Sequence, residues 1–393
     1  MDDMEEGLKK VLFLNAYFFP GYKSGGPQQT IANIIDAFGD VANIYVLTQN
    51  HDLGDKKRYP DVKIGKWIQF GKSKVKYIKS QDYIFSGIKK EYKNFKIIYS
   101  CGMFEKNMLA VLFIHKFTNN KKKLYIAPMG VFSDGAIHRK KLKKMLYLKL
   151  IKELGLLKDI IWSFTSEKEL EEAKTILGDK VIQEYIIAED IPRKVDFEKS
   201  ISNLKLMHKE KGSLRIVFIS RICEKKNLSL CIDILKKIEY GSIIFDIYGI
   251  IEDEKYWHTC EKKIKKLPGN ISAKYCGEVK SENTIGIFGN YDIFLFPTKG
   301  ENFGHVIFES LSAGCIPILS DTTPWDSVAK EDVGEVIKIC DIKGFRDTVK
   351  KYIDLDDSDM NEKRINAINF AKKKYSAIIT NSGYQSLFTV QGG

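Results

Sequence analysis

Short, almost wholly apolar runs alternate along this chain with longer stretches in which apolar residues return at helical spacing. In the first half the runs are VLFLNAY (11–17), ANIYVLTQ (42–49), KIIYSCG (96–102), KLYIAPMG (123–130) and DIIWSFTS (159–166). The second half repeats the style with LRIVFIS (214–220), IIFDIYG (243–249), ISAKYCG (271–277), DIFLFPT (292–298), IPILSD (316–321) and GEVIKI (334–339). A strand with one wet face alternates apolar and polar residues. These runs are largely apolar on both faces, which predicts strands covered on both sides, as in a parallel sheet. The helix-like segments between them supply the crossovers that parallel neighbours need, so an α/β class follows.

At 393 residues the chain exceeds the length over which a single core keeps growing. A polar passage without strand pattern, PRKVDFEKSISNLKLMHKEKGS (192–213), separates the two series of runs. The expected organisation is two Rossmann-like domains, residues 1–195 and 196–375, facing each other across a cleft. A final helix, expected over 376–393, carries Tyr384, Leu387 and Phe388 as apolar anchors. Ligands of such sheets gather at the carboxyl ends of the strands, so the cleft is where chemistry is expected. No run approaches the roughly 18 apolar residues of a membrane span. The acidic start MDDMEEG is unlike the basic opening of a signal peptide, so a cytoplasmic location is expected. Seven scattered cysteines without a C-x-x-C pair read as reduced thiols, not as a disulfide framework or zinc site.

Charge changes the picture in the first half. The net charge is +12, and the excess is concentrated between residues 56 and 158. Such a balance favours an anionic partner: nucleic acid, an anionic membrane surface or a phosphorylated substrate. No zinc-binding, RRM-like or helix-turn-helix signature supports nucleic acid. In 137–157, Leu142, Leu146, Leu150 and Leu154 recur every four residues beside Met145, and lysines fill much of the remainder. A basic amphipathic helix of this kind can lie on an anionic membrane surface. The same stripe could instead pack on its own domain.

Two stretches of the second half carry candidate chemistry. In FISRICEKKNLSLCIDIL (218–235), Arg221 follows a strand and Lys226 precedes a helix. Two cations at a strand's carboxyl end beside a helix N-terminus suit a diphosphate. In PTKGENFGHVIFESLSAGCIPILSD (297–321), a loop leads into a helix expected over 304–313, with Gly314 in the capping position. The backbone N–H groups of Asn302, Phe303, Gly304 and His305 would cluster at its start, ready for a phosphate or sugar oxygen. Glu301 and Glu309 are eight residues apart, about 12 Å at helical rise. That is roughly the reach from the sugar of a nucleotide sugar to its ribose, and each carboxylate can accept from two vicinal hydroxyls. In the first half, Gly25, Gly26 and Pro27 open a helix after the first strand, a turn that lets a ligand approach the backbone.

Three blocks, SRICEKKNLSL, KYCGEVKSENTIGIFGNYDIFLFPT and KGENFGHVIFESLSAGCIPILSDTTPW, resemble in order and spacing the donor-binding half of retaining glycosyltransferases of the GT-B fold, family four (glycosyl transferases group 1). The resemblance covers residues 218–328. It implies that Arg221 and Lys226 hold the donor diphosphate, that Glu301 binds the transferred sugar and that Glu309 accepts from the ribose. Asn302 to His305 would line the pyrophosphate and sugar, and Gly277, Glu278 and Val279 would meet the base. Gly26 would reach the donor, while Gly25, Pro27, Met129 and Gly130 would line the cleft on the acceptor side. Many relatives place a His or Arg before the glycine at 130. Here it is Met129, and His138 does not match that position, so no catalytic histidine is carried over.

The resemblance further implies a UDP- or GDP-linked sugar as substrate, with no cofactor and no metal, because the two cations take the metal's place. The acceptor would be a glycan or lipid-linked saccharide. TTPW (322–325) is similar to members that build bacterial surface polysaccharides, which suggests a peripheral position at the inner face of the cell membrane. The competing expectations are a sugar-nucleotide epimerase on the same scaffold and a non-catalytic partner subunit.

Overall fold

The computed structural model describes residues 8–118, 122–138, 140–204 and 207–388, the side chain of Asp134 excepted. The chain divides into two compact units, Met1–Lys194 with Ile378–Gly393, and Val195–Ala377.

The first unit is built on eight strands: β1 (Lys10–Leu14), β2 (Asn43–Gln49), β3 (Trp67–Phe70), β4 (Ser73–Ile78), β5 (Ile97–Cys101), β6 (Lys123–Ala127), β7 (Ile160–Phe164) and β8 (Glu184–Ile187). Their order is β3-β4-β2-β1-β5-β6-β7-β8. Every neighbouring pair is parallel except the β3–β4 hairpin. Val11–Leu14 and all of β5 are buried, as strands covered on both faces must be.

Three of these strands escape the apolar-run criterion. β4, SKVKYI, carries two lysines, and the ammonium of Lys76 is buried against Glu91 at 2.8 Å. β3 and β8 are edge strands of four residues with partly wet faces, the usual protection of an open sheet edge. The chain's last described residues also belong here: the Tyr384 hydroxyl lies 3.5 Å from that of Tyr99, and the Phe388 ring packs tilted against Phe38 at 5.0 Å between ring centroids. Gly383 is needed for that return, since a Cβ on it would sit 2.0 Å from the Ile187 carbonyl oxygen.

The second unit has six parallel strands: β9 (Ser213–Ile219), β10 (Ser242–Tyr248), β11 (Ile271–Gly277), β12 (Ile293–Phe296), β13 (Ile316–Ser320) and β14 (Glu335–Ile337). The order β11-β10-β9-β12-β13-β14 places the reversal of winding between β9 and β12. In the first unit the corresponding reversal lies between β1 and β5. Loops leaving the carboxyl ends of those strand pairs diverge and leave a crevice, the recurrent ligand position of open α/β sheets.

β12 is anchored at its amino end by charge. Asp292 is fully buried and accepts from the backbone N–H of Arg215 at 2.7 Å, from its Nη2 at 2.8 Å, and from the guanidinium of the equally buried Arg364. Burial pulls the Arg364 pKa down, and Asp292 opposes that pull. Removing the acid would leave two guanidinium groups around one uncompensated site. Asp292→Ala is therefore expected to cost about 3–5 kcal/mol, read as a lowered denaturation midpoint. An unchanged midpoint would contradict a structural role for this cluster.

Candidate functional site

β9 delivers its chain to the crevice beside an unusually close neighbour. A Cβ on Gly249, just past β10, would lie 1.8 Å from the Ser220 carbonyl oxygen, so only glycine allows the two strand ends to pass. Arg221 then emerges half-buried, its guanidinium paired with Glu252. A single 3-10 turn, Glu224–Lys226, follows, and Asn227 adopts a left-handed conformation (φ 62°) before the helix Leu228–Leu235. The Asn227 amide donates to the Pro297 carbonyl at 2.9 Å, tying this loop to the end of β12.

Lys226 is buried, and its Nζ lies 2.6 Å from Glu301 Oε1 and 5.6 Å from the Phe296 ring centroid. The Thr298 hydroxyl donates to the same carboxylate oxygen at 3.0 Å. The Thr298 carbonyl in turn accepts from the hydroxyls of Ser320 and Thr322, both at 2.6 Å. The Lys299 N–H donates to the Lys225 carbonyl at 2.8 Å. The loops after β9, β12 and β13 are thus sewn together around Lys226 and Glu301, with Arg221 at the start of the first of them.

Gly304 adopts φ 83° and precedes the helix His305–Ser312, and Gly314 (φ 74°) follows it. A Cβ on Gly304 would come within 2.9 Å of Ile307 Cδ1. Phe303 is buried with its ring against those of His305 and Trp325, at 5.0 and 5.4 Å, while Asn302 and His305 stay half-buried at the helix start. Glu309 is buried rather than solvent-facing, and its Oε2 lies 2.8 Å from the Thr284 hydroxyl. Thr284 opens the short helix that follows Gly277, Glu278 and Val279, so Glu309 belongs beside the chain leaving β11. Gly277 ends β11 at φ 88° and its carbonyl accepts from the Gly249 N–H at 2.9 Å; Glu278 is exposed and Val279 half-buried.

In the first unit, Gly25 (φ 70°) caps the helix Gly26–Phe38, with Pro27 in its first turn. A Cβ on Gly25 or Gly26 would meet no atom within 4 Å, so both face open space. Asp52 fixes the loop before them, accepting from the N–H groups of Tyr22 (2.7 Å), Lys23 (3.1 Å) and Leu53 (2.8 Å). Met129 and Gly130 both have positive φ, and the Gly130 N–H donates to Glu169 Oε1 at 2.6 Å. Glu169 Oε2 accepts from the N–H and hydroxyl of Thr165, each at 2.8 Å. Neither Asp52 nor Glu169 is singled out by the sequence reading. A signal existed for the second: Ser166 and Glu169 have capping-box spacing, and Ser166 Oγ accepts from the Glu169 N–H. Glu105, just beyond β5, is a further acid at a strand's carboxyl end. It is exposed overall, yet burial of its carboxyl pushes its pKa up, opposed by Lys106. His138 is exposed.

The basic amphipathic stretch forms the helix Lys141–Glu153, with Arg139 outside the described residues. Leu148 and Ile151 face the core. The stripe recognised by its four-residue spacing does not: Leu142 is 74% exposed, Leu146 59%, Leu150 48% and Leu154 42%. Packing of that stripe on its own domain is thereby ruled out, because a different pair of side chains does that work.

Residues 202–374 match the family described as glycosyl transferases group 1. That stretch spans nearly all of the second unit. Over 265 residues, 64% of this chain and 70% of the relative, the chain is 23% identical to an uncharacterised 41.2 kDa protein in the cps region of Klebsiella pneumoniae. The fold is similar to sucrose-phosphate synthase from Thermosynechococcus elongatus (TM-score 0.72, 13% identity, 96% of this chain and 99% of that one). It is also similar to Anabaena Alr3699/HepE solved with UDP-glucose (TM-score 0.70, 13% identity, the same coverage). The chain has the GT-B fold of these structures. The second unit contains a third cation beside Arg221 and Lys226 that the sequence does not single out, Lys225, adjoining Lys226 in the same turn.

Gly304→Ala would force a left-handed φ on a residue with a side chain, at about 1–2 kcal/mol, and would press its Cβ on Ile307. The expected result is a lowered denaturant midpoint. Wild-type stability would show that the helix entry tolerates a side chain.

Proposed function

We propose that this protein is a retaining glycosyltransferase that moves a sugar from a nucleoside-diphosphate donor to an acceptor hydroxyl during assembly of a bacterial surface polysaccharide or related glycan. The observation that carries this reading is the Lys226–Glu301 pair at the winding reversal of the group 1 unit, on the loop that also carries Arg221 and beside the start of the helix His305–Ser312. Arg221 and Lys226 bind the diphosphate and offset the charge that grows on it as the glycosidic C–O bond breaks. Preorganised charge of this kind is the largest single contribution in many enzymes. Held in place by Glu252 and Glu301 before the ligand arrives, the two cations need little reorganisation. Glu301 takes hydroxyls of the transferred sugar, Glu309 the ribose, and Gly277 to Val279 the base. The acceptor oxygen attacks the anomeric carbon on the face the phosphate leaves, and the departing phosphate oxygen takes the acceptor proton. In this reading no metal or cofactor is required. UDP sugars are the first donors to test, supported by the HepE complex with UDP-glucose, and the cps-region relative supports a surface polysaccharide.

The same proposal places the helix Lys141–Glu153 on an anionic bilayer at the cytoplasmic face, where a lipid-linked acceptor is delivered. Its exposed leucines and flanking lysines support this, and no described helix is long and apolar enough to cross the membrane. Apolar contact and attraction to anionic lipid act together in such helices.

Turnover of the donor that the protein accepts from a nucleotide-sugar panel should fall about 10²–10³-fold in Arg221→Ala or Lys226→Ala, the usual scale for losing one preorganised charge contact. Near wild-type rates in either variant would overturn the mechanism, and inversion at the anomeric carbon, read by proton NMR of the product, would exclude the retaining course. For the membrane contact, co-sedimentation with anionic vesicles should be lost when Lys140, Lys141, Lys143 and Lys144 are all changed to Glu. Equal sedimentation of that variant would remove the helix from the docking surface.

A further inference from the structure

Four cations stand on the loops that follow β9 and β12: Arg221, Lys225, Lys226 and Lys299. Three are closed by a glutamate, Arg221 by Glu252, Lys226 by Glu301 at 2.6 Å and Lys299 by Glu224 at 2.8 Å. Lys225 forms no ion pair among the described residues. Its backbone is nevertheless fixed, because its carbonyl accepts from the Lys299 N–H at 2.8 Å. Its side chain runs past Gly300, where a Cβ would lie 4.0 Å from Lys225 Cε.

Lys225 is exposed overall, yet enough protein surrounds its ammonium for desolvation to be the largest influence lowering its pKa. Glu301 pulls the other way, while Lys226 and Arg221 push further down. An ammonium in these surroundings is poorly neutralised, and an arriving anion gains more there than at a cation that already has a carboxylate. A phosphate reaching Lys226 must share it with Glu301, and one reaching Arg221 must share it with Glu252.

We propose that Lys225 is a third phosphate-binding residue of this site, the cation that engages the diphosphate of a nucleoside diphosphate while Lys226 is still paired with Glu301. This rests on the glycosyltransferase reading and adds a division of labour to it. Lys225 supplies capture, and Arg221 and Lys226 supply the charge that stabilises the leaving group.

The test is a calorimetric titration of UDP, GDP and ADP, and of uridine, guanosine and adenosine, into wild type, Lys225→Met, Lys225→Arg and Lys299→Met at one ionic strength. For each diphosphate that wild type binds, Lys225→Met should weaken affinity about tenfold or more, the scale of one charged hydrogen bond. Lys225→Arg should stay within about threefold and Lys299→Met within about twofold of wild type, with nucleoside affinity unchanged throughout. Lys225→Met binding a diphosphate within about twofold of wild type, with a wild-type melting curve, would overturn the proposal and leave the glycosyltransferase reading standing. Weakening by Lys299→Met as large as by Lys225→Met would also overturn it, by reducing the effect to general surface charge. Wild type binding none of the three diphosphates would remove the glycosyltransferase reading and this inference with it.

Discussion

The Lys226–Glu301 ion pair is the contact on which the site of the second unit depends. It joins residues 75 positions apart, at 2.6 Å, in surroundings where both side chains are mostly buried. Desolvating two charges costs several kcal/mol, so such a pair adds little net stability, and its value is positional. It fixes the turn after β9 against the loop after β12. Thr298, held from β13 by Ser320 and Thr322, keeps the shared carboxylate oxygen in place.

β12 itself is only four residues long and is held by charge beyond both ends. At its amino side the buried Asp292 gathers Arg215 and Arg364, and past its carboxyl side Glu301 gathers Lys226. The short strand therefore cannot slide without breaking one cluster or the other. Gly304 and Gly249 complete the fit where side chains would collide. Rigidity in this region suits a reaction in which fixed cations meet charge as it develops.

Much of this was legible in the sequence, for a physical reason. In the second unit the central strands β12 and β13 are wholly buried and β9 nearly so, and even the partly wet β10, β11 and β14 keep enough apolar residues to appear as runs; Arg221, Lys226, Glu301 and Glu309 sit at recognisable spacings around them. The first unit hid three strands: β4 because Lys76 is buried through its pairing with Glu91, and β3 and β8 because edges keep polar residues. Lys225 was illegible because composition cannot tell which of two adjacent lysines is paired. Asp52 and Glu169 act on backbone 29 to 39 residues away, a relation that only folding creates. Spacing fitted a solvent-facing Glu309 as well as a buried one. The leucine stripe likewise fitted either environment until the helix placed Leu148 and Ile151 inward instead.

Amide hydrogen exchange, with and without a saturating nucleotide sugar that the protein turns over, tests most directly whether these loops form one donor site. Protection should rise together in 220–228 and 298–307, the two segments joined by Lys226 and Glu301. Protection confined to the first unit, or a rise in one of the two segments without the other, would contradict it.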